Sequence, residues 1–399
     1  MKKATIITYG CAMNVNESAK IKKLLENMGY EVIDDISESD AVFLNTCTVR
    51  EGAATQIYGK LGELKTVKEK KKPNMIIGVT GCFAQEQGEE LASKFKQIDI
   101  VMGNQNIGKI PQAIENIESG DFKHVIYTGN EDELPPRIDA DFGDKHVASL
   151  PITYGCNNFC TYCIVPYVRG RERSVPLAQV VEEAREYLVE KKNKELLLIG
   201  QNVNSYGNDF DNGDNFAKLL TELCKIEGDF LIRFISPHPR DFTDEVIDVI
   251  ASNDKIGKAI HLPLQSGSTN VLKAMNRGYK KEEYIALANK IKEKIPGVSL
   301  TADIIVGFPG ETEEDFLDTL DVVDKVRFDN SFMFMYSIRT GTKAAEMTNQ
   351  IDEEVKKERL QRLIALQNKI AKENSVAYMG QTIRLLVEGP SKKNDKVMC

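Results

Sequence analysis

Ser149-Leu150-Pro151-Ile152-Thr153-Tyr154-Gly155-Cys156-Asn157-Asn158-Phe159-Cys160-Thr161-Tyr162-Cys163 runs from an apolar strand candidate, Ser149 to Thr153, straight into a loop with three cysteines in eight residues. In a β/α barrel the loops after the strand C-termini build the site. Downstream the same grammar repeats. Strand candidates are Glu195 to Ile199, Phe230 to Ile235, Ala259 to Leu264, Leu300 to Val306 and Ser331 to Tyr336. Helical patterns lie between them, among them Leu177 to Glu190, Glu282 to Lys294 and Glu313 to Val326. Six β/α units predict a partial or full TIM-like β/α barrel. Asp352 to Val376 reads as a charged helix with Leu363, Leu366 and Ile370 on one face.

Upstream of the loop, Gly129 to Gly143 is rich in acidic residues and holds Pro135-Pro136, the composition of a linker. Before it, Ala4 to Thr8, Ala41 to Leu44, Met75 to Val79 and Ile100 to Met102 are further strand candidates. Ile21, Leu24, Leu25 and Met28 follow helical spacing, and Gly29 is placed to end that helix. Alternation of this kind predicts an α/β chain whose N-terminal part is an open parallel sheet with helices on both faces.

Three thiolates in one short loop can wrap one [4Fe–4S] cluster, which ordinarily takes four cysteines. One iron is then left without a protein ligand. It can bind the amino and carboxylate groups of S-adenosylmethionine (SAM) and pass it an electron, giving a 5′-deoxyadenosyl radical. A zinc site, which usually has four ligands and paired C-x2-C elements, and a chance group of buried cysteines are the competing readings.

A second set is dispersed: Thr8-Tyr9-Gly10-Cys11, Leu44-Asn45-Thr46-Cys47 and Val79-Thr80-Gly81-Cys82. Each cysteine follows a strand candidate by two or three residues. If those strands are parallel neighbours, the three thiols emerge at one sheet edge, where open α/β sheets bind ligands. Gly10 and Gly81 allow a bulky group to approach the backbone. The alternative is three unrelated buried thiols. Cys224 extends the helical face Phe216, Leu219, Leu220 and Leu223 and reads as core; Cys399 is assigned nothing.

The 399 residues suit two or three domains of roughly 150 residues each. No apolar run approaches the ~20 residues of a spanning helix. The start, Met1-Lys2-Lys3, does not continue as a signal peptide. A cytoplasmic protein without membrane contact is expected, its eight cysteines metal-binding, catalytic or buried. A net charge of −8 argues against a general nucleic-acid binder but leaves room for a local basic face. The lysine-rich segment Lys65 to Pro73 reads as solvated.

The run Gly155-Cys156-Asn157-Asn158-Phe159-Cys160-Thr161-Tyr162-Cys163-Ile164-Val165-Pro166-Tyr167-Val168-Arg169-Gly170-Arg171 resembles the signature loop of the radical SAM methylthiotransferases. So do Leu198 to Val203, Arg233-Phe234 with Ser236 to Pro239, His261 to Ser268 and Asp303 to Thr312. The resemblance implies two [4Fe–4S] clusters, one on Cys156, Cys160 and Cys163 and an auxiliary one on Cys11, Cys47 and Cys82, whose open iron carries the sulfur to be transferred. It implies SAM held near Tyr162, Gln201, Arg233 and Gln265, an external electron donor and no catalytic side chain. Met13-Asn14 is similar to the branch that modifies isopentenyladenosine beside the tRNA anticodon. The expected partner is that tRNA, the expected state a monomer. Methylthiolation of threonylcarbamoyladenosine tRNA or of a ribosomal protein stays open, as does an iron–sulfur electron carrier or RNA-binding sensor. The basic run Arg169 to Arg173 is expected to steer phosphates. Residues 1–128 are expected to form the N-terminal domain with the auxiliary cluster, 129–145 a linker, 146–376 the radical SAM core, and 377–399 the start of a small β-barrel RNA-binding (TRAM) domain that the chain leaves incomplete.

Overall fold

The computed structural model describes residues 1–48, 53–129, 133–140, 146–382, 386–387, 389–391 and 394–398. The N-terminal unit runs β1 (Lys2–Thr8), α1 (Ala12–Asn27), β2 (Tyr30–Val32), β3 (Ala41–Thr46), α2 (Ala53–Lys70), β4 (Ile76–Gly81), α3 (Cys82–Lys94), β5 (Ile100–Met102), α4 (Ile110–Glu118) and β6 (Val125–Tyr127). Its strands form one sheet in the order β2-β1-β3-β4-β5-β6, every pairing parallel. β3 and β4 are buried at every residue, as central parallel strands covered on both faces must be. Alternation divides their side chains: Phe43 packs with Ile21, Leu25 and Ile114, while Val42 and Leu44 pack with Ile57, Leu61 and Ile77 on the other face. The strand order reverses at β1, so the crevice at its C-terminal end and that of β3 is the switch point where such sheets bind ligands.

The second unit continues with β7 (Val147–Pro151), β8 (Thr153–Tyr154), α5 (Val165–Arg169), β9 (Arg173–Ser174), α6 (Leu177–Arg185), β10 (Glu195–Ile199), α7 (Phe216–Cys224), β11 (Leu231–Phe234), α8 (Asp244–Ser252), β12 (Ala259–His261), α9 (Thr269–Ala274), α10 (Lys281–Lys294), β13 (Ser299–Val306), α11 (Glu313–Val326), β14 (Asn330–Met335) and α12 (Glu353–Val376). Parallel sheets β11-β10-β7 and β12-β13-β14 are linked by a parallel bridge between Ile232 and Ile256. Among the described residues no pairing returns from β14 to β7, so the six-unit barrel is partial rather than full. β8 and β9 pair antiparallel and clamp the two ends of the cysteine loop.

The expected face of α12 is partly met: Leu363 and Ile370 are buried, Leu366 half-buried, and Gln367 between them donates to the Phe328 carbonyl at 2.9 Å. The Pro309-Gly310-Glu311-Thr312 turn opens into α11 through a capping box in which Thr312 and Asp315 satisfy each other's backbone N–H. Glu311 is buried and takes Gly307 N–H at 2.9 Å and Arg359 Nη1 at 2.8 Å, so this motif pins α12 to the barrel. Parts of the expected linker, 130–132 and 141–145, lie outside the described residues; Leu134 packs against the barrel core. At the C-terminal end β15 (Pro390–Ser391) pairs antiparallel with β16 (Asn394–Met398). Of the strand expected over Thr382 to Val387, residues 383–385 lie outside the described residues, as does Cys399, and Thr382, Leu386 and Val387 are not in a strand.

Candidate functional site

The C-terminal ends of β1, β3 and β4 face the C-terminal mouth of the barrel. A cavity of about 330 Å³ lies between them and is lined by Cys11, Cys47, Cys82, Cys156, Cys160 and Cys163. Tyr162, Gln201 and Gln265 line it too, and a wider apolar pocket bounded by Ile305, Phe334 and Tyr336 opens beside Cys163. Arg233 does not join them. Ile232 and Phe234 pack into the core, and the guanidinium of Arg233 turns back along the sheet to Glu195 Oε1 at 2.6 Å, at the start of β10. Its charge is spent on that ion pair, away from the strand ends. Cys224 is also absent from the cavity; it closes α7.

Among the described residues no three His, Cys, Asp or Glu side chains converge closely enough to hold a single metal ion. Burial pushes the thiols of Cys82 and Cys163 up to about 12 and that of Cys156 up to about 11. At neutral pH a metal must therefore displace protons to bind them.

In the N-terminal triplet, Asn14 and Asn45 tie the loops together. Asn14 Oδ1 accepts from Cys11 N–H at 3.4 Å, and Asn14 Nδ2 donates to Asn45 Oδ1 at 2.9 Å and to the Thr46 carbonyl at 3.3 Å. Asn45 Nδ2 answers with bonds to the Asn14 carbonyl at 2.8 Å and Ser18 Oγ at 2.9 Å. Gly81 has φ +93°, and a Cβ there would lie 2.3 Å from the Thr46 carbonyl oxygen. Asn14→Ala removes the side-chain donor to Asn45 Oδ1 and to the Thr46 carbonyl in a buried site. It should cost ~2–3 kcal/mol, read as a lower urea midpoint, together with poorer iron retention at this triplet. An unchanged midpoint would remove the network from the account.

In the barrel triplet, Gly155 N–H donates to Gln201 Oε1 at 2.6 Å and Cys156 N–H to the Gly170 carbonyl at 3.2 Å. Thr161 anchors the loop to the end of α9 through the Met275 and Ala274 carbonyls. Gln265 has φ +67°, a conformation that a side chain of its kind rarely adopts; its N–H and carbonyl are clamped by Asp303 and Ile305. Two buried groups stand here: Arg277, which no sequence motif marked, and His238, which lies in the Ser236 to Pro239 stretch. Arg277 Nη1 donates to Cys160 Sγ at 3.4 Å. His238, which lines the cavity, is held neutral, its pKa lowered to about 2 by burial and then by Arg277 and Arg240, and its Nε2 has no partner.

The expectation of a phosphate-steering run at Arg169 to Arg173 is corrected. Arg169 is 5 % exposed and pairs with Glu17 Oε1 at 2.8 Å; Arg173 Nη1 donates to the Glu133 carbonyl at 2.7 Å. Only Arg171 of the three is exposed, stacked over the Phe159 ring at 4.6 Å.

Comparisons with known proteins agree with this division. The profile described as Radical SAM superfamily matches residues 150–323, and that described as Uncharacterized protein family UPF0004 matches 3–103. A protein of Fusobacterium nucleatum subsp. nucleatum named tRNA-2-methylthio-N(6)-dimethylallyladenosine synthase is 71% identical over 398 residues, covering 100% of this chain and 91% of its own. A protein of Acetivibrio thermocellus with the same name is 48% identical over 392 residues, 98% of this chain and 81% of its own. Among solved structures, the radical S-adenosylmethionine methyltransferase TsrM from Kitasatospora setae superposes with a TM-score of 0.62 at 14% identity, over 86% of this chain and 75% of its own. That likeness speaks to the fold alone. No described helix is long and apolar enough to cross a membrane.

Proposed function

The chain belongs to the radical SAM methylthiotransferase family of tRNA-2-methylthio-N(6)-dimethylallyladenosine synthases, and on that premise we propose that it adds a methylthio group to C2 of N(6)-isopentenyladenosine next to the tRNA anticodon. It is an enzyme that uses two [4Fe–4S] clusters and SAM. The observation that carries this assignment to particular residues is the single cavity lined by both cysteine triplets. Cys156, Cys160 and Cys163 hold one cluster, and Cys11, Cys47 and Cys82 the other.

When bound, these groups supply one-electron cleavage of SAM and a transferable sulfur, a radical route suited to an adenine C2–H bond that no ordinary base can deprotonate. The chain's own residues position and enclose. Gln201 fixes the start of the barrel loop through Gly155, while Tyr162 and Gln265 wall the space where SAM lies. His238, kept neutral by burial, adds no positive charge to the cavity wall. The target base must leave its stack to reach the cavity. On this reading residues 1–128 carry the auxiliary site, 129–145 link the units, 146–376 form the SAM core and 377–399 belong to an RNA-binding barrel. We take the protein to act in the cytoplasm as a monomer served by an external electron donor.

The test offers the reconstituted enzyme two anticodon stem-loops that differ only in the isopentenyl group, and a ribosomal-protein peptide, with SAM and a reductant. Nucleoside mass spectrometry should find the methylthio product mainly on the isopentenylated RNA. Product on the peptide alone would overturn the substrate while leaving the radical SAM chemistry in place.

A further inference from the structure

Each cysteine triplet has one buried arginine aimed at one of its sulfurs. In the barrel, the other donors of Arg277 go to Tyr279 Oη at 3.2 Å and the Pro263 carbonyl at 3.3 Å, both uncharged. On the N-terminal side, Arg169 donates from Nε to Cys82 Sγ at 3.1 Å and from Nη1 to Glu17 Oε1 at 2.8 Å. Yet Arg169 belongs to the barrel unit. It ends α5, the short helix that begins two residues after Cys163, and the next residue, Gly170, accepts from Cys156 N–H. Its carbonyl is held by Gln105 Nε2 at 2.8 Å and Arg173 Nη2 at 3.3 Å. Its Nη2 is buried without a partner, in a side chain that lines the cavity. One residue thus reaches from the loop of the first triplet to a sulfur of the second, with its carboxylate partner supplied by the helix that follows Cys11.

A thiolate-bound cluster becomes more negative on reduction. An N–H···S bond and a nearby cation stabilise that reduced form more than the oxidised one and raise the potential. Glu17 acts in the opposite sense, holding the guanidinium in place while offsetting its field. We propose that Arg169 is a positioning residue that ties the Cys82 sulfur to the barrel loop and, with Glu17 as its counter-charge, sets the reduction potential of the cluster on Cys11, Cys47 and Cys82. The proposal rests on the two-cluster assignment above.

The experiment uses the full chain carrying Cys156→Ala, Cys160→Ala and Cys163→Ala, reconstituted anaerobically so that only the N-terminal cluster reports. Its midpoint potential is followed by electron paramagnetic resonance with redox mediators. Adding Arg169→Gln should lower the midpoint and adding Glu17→Gln should raise it, with the iron content of the retained fraction equal. Arg169→Lys, which keeps the charge and loses the fork, should fall between the parent and Arg169→Gln, and it carries the test should the glutamine variant lose its iron. A purely structural role moves iron content and leaves the potential alone. Unchanged midpoints, or shifts of the same sign for Arg169→Gln and Glu17→Gln, overturn the proposal. A parent chain that binds no iron overturns the cluster assignment itself, and this proposal with it.

Discussion

Cys156→Ala, Cys160→Ala or Cys163→Ala abolishes formation of 5′-deoxyadenosine from SAM, while the N-terminal triplet keeps its share, roughly half of the iron. Two thiolates cannot hold a cluster with one open iron. The N-terminal site is built on different elements, so its iron survives. Liquid chromatography of the SAM products, with iron quantification of the same samples, reads both halves. Persistent 5′-deoxyadenosine at the parent rate would remove these cysteines from the radical step.

Gly155→Ala should have nearly as large an effect without touching a ligand. Gly155 has φ +76°, and an added Cβ would stand 2.0 Å from the Arg171 carbonyl oxygen and 2.6 Å from that of Gly170. Both are backbone atoms in the stretch that ties Cys156 to β9, so no flexible side chain can yield. The left-handed conformation adds ~1 kcal/mol and the clash more, ~3 kcal/mol together. Because that energy falls on the cysteine loop, most of the barrel iron should be lost while the N-terminal iron stays. Gly62→Ala is the control: it lies within α2 with open space around it, and should stabilise slightly. Equal iron in Gly155→Ala and the parent would show that the loop tolerates displacement.

Much of this site was legible because its parts obey local rules. A cysteine placed just beyond an apolar strand is visible in sequence, and parallel pairing makes three such positions neighbours without any further signal, as Cys11, Cys47 and Cys82 demonstrate. What escaped depends on distance and burial. Arg169 sits in a run that reads as a basic surface, and its carboxylate, Glu17, is 152 residues away. Composition cannot reveal that a charge is interior when its partner lies on another unit. Arg277 is flanked by Asn276 and Gly278 and carries no local pattern that marks it as a sulfur partner. Arg233 failed for the converse reason. Its place at a motif was right, but the sequence did not show that Glu195, at the base of the adjacent strand, would draw the guanidinium away from the strand ends. The positive φ of Gln265 is likewise set by tertiary clamping rather than residue type.

The most direct measurement is Mössbauer spectroscopy of the chain reconstituted anaerobically with ⁵⁷Fe, alongside a chain with Cys11, Cys47 and Cys82 replaced by alanine. The expected result is about eight irons per chain in two [4Fe–4S] clusters for the first and about four in one cluster for the second, with added SAM perturbing one iron of the cluster that remains. A single cluster in the fully reconstituted parent, or iron that is insensitive to the three replacements, would contradict it.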